Sequence, residues 1–130
     1  MLDVSKYDQY TNKIIRSAIE VHKELGCGFL EPVYQKALEK EFFLQNVPAL
    51  SQSPVDVFYK GEKLAVYVPD FIVWDIIVEI KALEVVNYEQ VQMQIINYLV
   101  ATKKPVGLLL NFGKSKLEIK RYILPKKFQN

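Results

Sequence analysis

Pro69-Asp70-Phe71-Ile72-Val73-Trp74-Asp75-Ile76-Ile77-Val78-Glu79-Ile80-Lys81 is the stretch that decides how this chain is read. Two β-rich runs, Leu64 to Val73 and Ile76 to Lys81, flank Trp74-Asp75, which predicts a hairpin with a two-residue turn. In that register Val73 faces Ile76, Ile72 faces Ile77 and Asp70 faces Glu79. Directly opposed side chains share a sheet face and sit close together. Lys81 lies two residues beyond Glu79, so it points the same way. The other face, Phe71, Val73, Ile76, Val78 and Ile80, is wholly apolar and reads as core.

Two carboxylates side by side repel, and strand interiors disfavour Asp and Glu. A divalent cation would resolve the repulsion, since magnesium takes hard carboxylate oxygens together with waters and phosphate oxygens. Such an ion activates water and offsets negative charge, and a lysine beside it orients that water. The plainer reading is a Lys81 salt bridge to Glu79 or Asp70 on a solvated strand face. Spacing alone leaves both readings open.

Working outward, residues 5–25 form an amphipathic pattern on Ile14, Ile15, Ala18, Ile19, Val21, His22 and Leu25. Ser5 or Asp8 is its candidate cap, and Gly26 and Gly28 end it. A second helix is predicted from about Leu30 to Gln45, with Pro32 in its first turn and Tyr34, Leu38 and Phe42 on one face. Val55 to Tyr59 is a strand, followed by a turn at Lys60-Gly61-Glu62. Pro69 marks an edge or bulge in the strand that runs from Leu64 to Val73. Tyr88 to Thr102 is a third helix on Val91, Ile95, Tyr98 and Leu99. Pro105 to Asn111 is nearly all apolar, as in a strand buried on both faces. Leu117 to Ile123 is the last strand. The order α-α-β-β-β-α-β-β predicts an α/β domain with a mixed central sheet flanked by helices.

The 130 residues suit one domain, 1–130, large enough for a real core. Cys27 stands alone, which excludes an internal disulfide and fits a reducing compartment. No stretch is apolar enough to span a membrane and no signal-peptide pattern opens the chain, so a cytoplasmic protein is expected. His22 is the only histidine, which sets aside a multi-histidine metal site or a Ser-His triad and favours a half-buried structural role. No Gly-x-x-x-x-Gly-Lys loop is present to cradle a nucleotide. Net charge is +2 overall, but residues 1–100 carry −5 and residues 101–130 carry +7. The basic end is either a polyanion contact or a solvated face.

Pro69-Asp70 with Glu79-Ile80-Lys81 resembles the PD-(D/E)xK nuclease superfamily, whose fold is restriction-endonuclease-like. A closer likeness is to the family named for a Gly-x-x-Glu-x-x-Tyr (GxxExxY) motif, which stands here as Gly28-Phe29-Leu30-Glu31-Pro32-Val33-Tyr34. The likeness continues through His22-Lys23-Glu24-Leu25-Gly26, Tyr59-Lys60-Gly61, Gln94 with Tyr98-Leu99, and Gly107 to Gly113. It implies a nuclease that hydrolyses phosphodiester bonds with magnesium or manganese. Asp70, Glu79, the carbonyl of Ile80 and Glu31 would hold the ion, and Lys81 would orient water. Gln94 and Tyr98, four apart on one helix face, would stand near the scissile phosphate. Glu31 serves equally to stabilise a helix end, and Tyr98 to fill the core. The implied partner is nucleic acid, DNA before RNA. So short a chain also suits a homodimer or a larger complex. The alternatives are a catalytically silent nucleic-acid-binding or assembly module and a structural, partner-binding subunit.

Overall fold

The computed structural model describes residues 3–129. After a 3-10 turn at Val4–Tyr7 come α1 (Asp8–Leu25) and α2 (Glu31–Leu44), then β1 (Ala49–Ser51), β2 (Val55–Tyr59), β3 (Glu62–Tyr67), β4 (Phe71–Val73) and β5 (Ile76–Lys81). The chain closes with α3 (Tyr88–Thr102), β6 (Val106–Asn111), β7 (Glu118–Ile123) and a 3-10 turn at Lys126–Phe128. The central sheet has the order β1-β4-β5-β6-β7, with β5 and β6 parallel and the other pairs antiparallel. β2 and β3 form a separate two-stranded hairpin. This is the expected mixed α/β architecture, consistent with a restriction-endonuclease-like fold.

The sheet is the middle of three layers. Phe71, Val73, Ile76, Val78 and Ile80 pack with Ile14, Ala18, Val21, Tyr34, Leu38 and Phe42 of α1 and α2. On the opposite face Ile77 and Leu109 pack with Val91, Ile95, Tyr98 and Leu99 of α3. Both faces of β5 are therefore buried, as the crossover from β5 through α3 to parallel β6 requires. The face carrying Glu79 is not the solvated face of the plainer sequence reading. Gly107 on β6 allows α3 to lie close, because a Cβ there would collide with Ile95.

Several boundaries differ from the sequence reading. The strand expected over residues 64–73 is two strands in two sheets. Pro69 is buried and has no N–H for a ladder, and the chain changes sheets at residues 68–70. β1 went unpredicted, being only three residues long. It pairs Leu50 with Ile72 on the sheet edge. The first α-helix starts at Asp8 rather than at residue 5, and neither Ser5 nor Asp8 caps it. Asp3 instead accepts from the Ser5 N–H and closes the preceding 3-10 turn. Ile19, expected on the apolar face, is exposed. Among the described residues no helix is long and apolar enough to cross a membrane.

Candidate active site

The hairpin register places Val73 opposite Ile76 and Ile72 opposite Ile77, as read from sequence, with Trp74 taking the positive φ of 52° that the tight turn needs. Asp70 lies one residue before β4, so it meets Glu79 through side chains rather than the ladder. Its N–H donates to Glu79 Oε1 at 2.9 Å, and the Ile80 N–H donates to Asp70 Oδ2 at 2.8 Å. The Asp70 carbonyl accepts from the Gln52 N–H at 2.9 Å and from Gln35 Nε2 at 3.1 Å. Gln35, buried on α2, also donates to Ser51 Oγ at 2.9 Å. The Asp70 N–H and Oδ2 are thus tied to β5 and its carbonyl to α2 and the segment after β1, so its carboxylate is held against β5.

Burial dominates the electrostatics. Glu79 is 4% exposed. Loss of water pushes its carboxyl up to about 9, and the Asp70 charge pushes the same way. Asp70 is also raised, by burial first, while the Ile80 N–H works against the shift. Lys81 favours the ionised form of both carboxylates, yet it makes no ion pair with either. The expected salt bridge is therefore not what the structure shows. Glu31 in the first turn of α2 is raised by burial and then by Asp70, with Lys81 opposing. Three carboxylates thus share the field of one lysine. Among the described residues, however, no group of three or more His, Cys, Asp or Glu side chains is gathered closely enough to hold a metal. Glu31 stands beside the Asp70–Glu79 pair rather than within it.

The pair presents hard oxygens on two adjacent carboxylates, a set that suits magnesium or manganese. The Lys81 carbonyl turns toward β6, where it accepts from the Phe112 N–H at 2.8 Å. Carbonyls alternate sides along a strand, so that of Ile80 leaves on the Asp70 side.

Two clefts approach the pair. One, of about 530 Å³, has Lys81, Tyr67, Gln90, Gln94, Asn97 and Tyr98 in its wall. The other, of about 300 Å³, is bordered by Asp70, Glu31, Gln35, Lys36, Glu39 and Gln52. Gln94 Nε2 donates to the Tyr98 hydroxyl at 3.2 Å. Tyr98 fills the core and still lines the cleft, and burial followed by the Glu79 charge raises its hydroxyl pKa. It therefore remains an O–H donor at neutral pH. His22 is structural, with Nε2 hydrogen-bonded to the Lys114 carbonyl at 2.8 Å.

Three residues of this region escaped the sequence reading. Gln35 looked like one polar side chain on an amphipathic helix. Tyr67 looked like one more strand aromatic, but its ring packs on Tyr98 at 5.6 Å between centroids. Asn111 is the polar residue that ends an otherwise apolar strand, which was the available signal, and the structure buries it fully. Its side chain accepts from the Leu83 N–H and donates to the Leu83 carbonyl at 3.1 and 2.9 Å, fixing the segment after β5 that carries the cleft wall.

A sequence profile of the PD-(D/E)XK nuclease superfamily matches residues 8–122. The chain belongs to that superfamily. Members of the PD-(D/E)XK superfamily are generally nucleases and typically use divalent metals. The crystal structure of SSO0001 shares the fold, with a TM-score of 0.59 at 16% identity over 93% of this chain. The chain spans 61% of that protein's length. No curated protein matches it.

Proposed function

We propose that this PD-(D/E)XK protein is a divalent-metal-dependent nuclease that hydrolyses phosphodiester bonds of DNA or RNA, and that it belongs with the Gly-x-x-Glu-x-x-Tyr family of its superfamily. One observation carries the reading. The half-buried Asp70 carboxylate and the buried Glu79 carboxylate are held side by side with no countercharge in an ion pair with them, and the next residue on the same face of Glu79's strand is Lys81, which opens on a cleft. A bound cation would offset what it costs to bring the two carboxylates together.

Asp70, Glu79 and the Ile80 carbonyl would hold magnesium or manganese, which when bound activates water and offsets charge on the phosphate. Glu31, from the neighbouring cleft, would add negative potential or hold a water of the ion. Lys81 orients the attacking water and stabilises the anionic oxygens that develop on phosphorus. The Asp70 N–H fixes the Glu79 carboxylate, and the Ile80 N–H fixes that of Asp70. Tyr98, oriented by Gln94, offers a hydroxyl proton toward the substrate phosphate. Retention of all three motif side chains weighs against a catalytically silent module.

The test is cleavage of labelled DNA and RNA with magnesium or manganese, comparing wild type with Glu79→Ala and Lys81→Ala. Metal-dependent cleavage that falls about 100-fold or more in each variant is expected. Equal products from wild type and both variants would sink the assignment.

A further inference from the structure

The cleft beside Lys81 is unlike a duplex-binding groove. Proteins that grip duplex nucleic acid line the contact with several Lys or Arg side chains, one for each neutralised phosphate. Here Lys81 is the only charged residue in the wall. The remainder is carboxamide, tyrosine and aliphatic, the last from Leu83, Val86 and Val91. Gln90, Gln94 and Asn97 run in one row along α3, spaced three or four residues apart. Among the described residues the side chains of Gln90 and Asn97 have no hydrogen-bond partner. A carboxamide carries both a donor and an acceptor, the complement of a nucleobase edge rather than of a phosphate.

Tyr67 supplies the second component. It is 37% exposed, lines the same cleft, and meets Tyr98 edge to face with 69° between the ring planes. A T-shaped pair leaves each ring at least one face uncovered by the other. The uncovered face of Tyr67 is therefore available to a flat, π-rich ligand. Stacked and paired bases inside a duplex reach neither the ring nor the amides, whereas bases of a single strand reach both. The volume of about 530 Å³ also falls in the range of single-ligand pockets.

We propose that this cleft takes an unpaired nucleotide, its base stacked on Tyr67 and its edge hydrogen-bonded by Gln90 and Asn97, so that the substrate is single-stranded where it enters. The inference rests on the nuclease reading for what happens at Lys81, but binding can be measured apart from cleavage.

Fluorescence anisotropy with labelled single strands of DNA and of RNA, against a blunt duplex of the same sequence and with chelator present, tests it. Single strands should bind about tenfold tighter than the duplex. Tyr67→Leu should lose about tenfold of that affinity, the size of one base–aromatic stack, while Tyr67→Phe retains it. Gln90→Ala, at an exposed helix position, should lose a smaller factor with an unchanged melting temperature. A duplex bound as tightly as single strands, or a folded Tyr67→Leu with wild-type affinity, overturns the inference. Metal-dependent cutting of blunt duplex that ignores Tyr67 would do the same and leave the nuclease standing. Tyr67-dependent binding of single strands with no cutting of any substrate would support the cleft and sink the nuclease.

Discussion

The two clefts that flank the Asp70–Glu79 pair, one bordered by Asp70 and one by Lys81, are opposite in chemistry. On the α2 side Glu31 and Glu39 stand with Asp70, and Lys36 is the lone basic residue. On the α3 side the wall has no carboxylate, and Lys81 stands among amides, tyrosines and the aliphatic Leu83, Val86 and Val91. Negative potential draws a cation and repels a nucleic-acid backbone; the amide side, as proposed, would accept a polyanion's bases without repelling its phosphates. Under the proposed function the contrast would give the pair a cation side and a substrate side, set by which helix faces each. A carboxyl raised to about 9 stays in the fold by keeping its proton, and a cation bound there would displace that proton.

The comparison is broken most severely by testing that tension. Folded Glu79 holds its proton to about 9, whereas the unfolded chain releases it in the ordinary glutamate range near 4.5. Between those values the folded state binds more protons, so stability falls as pH rises. The metal-free protein should lose roughly 5–10 °C in melting temperature from pH 5 to pH 9. Glu79→Gln, neutral throughout, should flatten the profile, and saturating magnesium should lift its alkaline end. A wild-type profile already flat in chelator would mean that the pair carries no excess proton.

A smaller effect is expected on the α2 side from Gln35. Gln35→Ala removes a buried donor from the Asp70 carbonyl and from Ser51 Oγ. Urea unfolding should show a loss of about 1–3 kcal/mol. A full loss of cleavage accompanying only that modest destabilisation would show that the Asp70 loop must be fixed for the site to work. Smallest of all should be Glu31→Gln. With Glu31 outside the close pair, calorimetry should find magnesium binding weakened only a few-fold (below about 1 kcal/mol). Abolished binding would place Glu31 among the ligands and erase the distinction between pair and cleft.

How much of this was legible depended on the range of the signals. Glu79, Ile80 and Lys81 lie in a run whose strand character is local, and the hairpin register to Val73 follows from a two-residue turn. The faces of α2 and α3 were readable from helical spacing: Tyr34, Leu38, Phe42, Val91, Ile95 and Leu99 are all buried. What failed to show were connections made across the fold. Nothing near Gln35 in sequence says that it will meet Asp70, and β1 is too short to carry a pattern. Pro69 was read as an interruption, but that the chain changes sheets there depends on where β1 and β5 lie. The covering of Glu79 was hidden for the same reason, because the alternation of β5 marks an apolar face without saying that α3 closes the other.

Gly107 carries a consequence for how this protein tolerates change. It touches no proposed catalytic group, being opposite Ile77 on the inner strand and beneath Ile95 of α3. The clearance between that helix and the sheet is nevertheless set there, and the same helix bears Gln90, Gln94 and Tyr98. Even one added methyl group would act as a wedge, altering the width of the substrate cleft from a position remote from it. Side chains that shape the cleft can be exchanged one at a time, but the empty place at residue 107 bears on all those that α3 carries. In the currency of mutational robustness, a missing atom can be as hard to replace as a side chain that touches substrate.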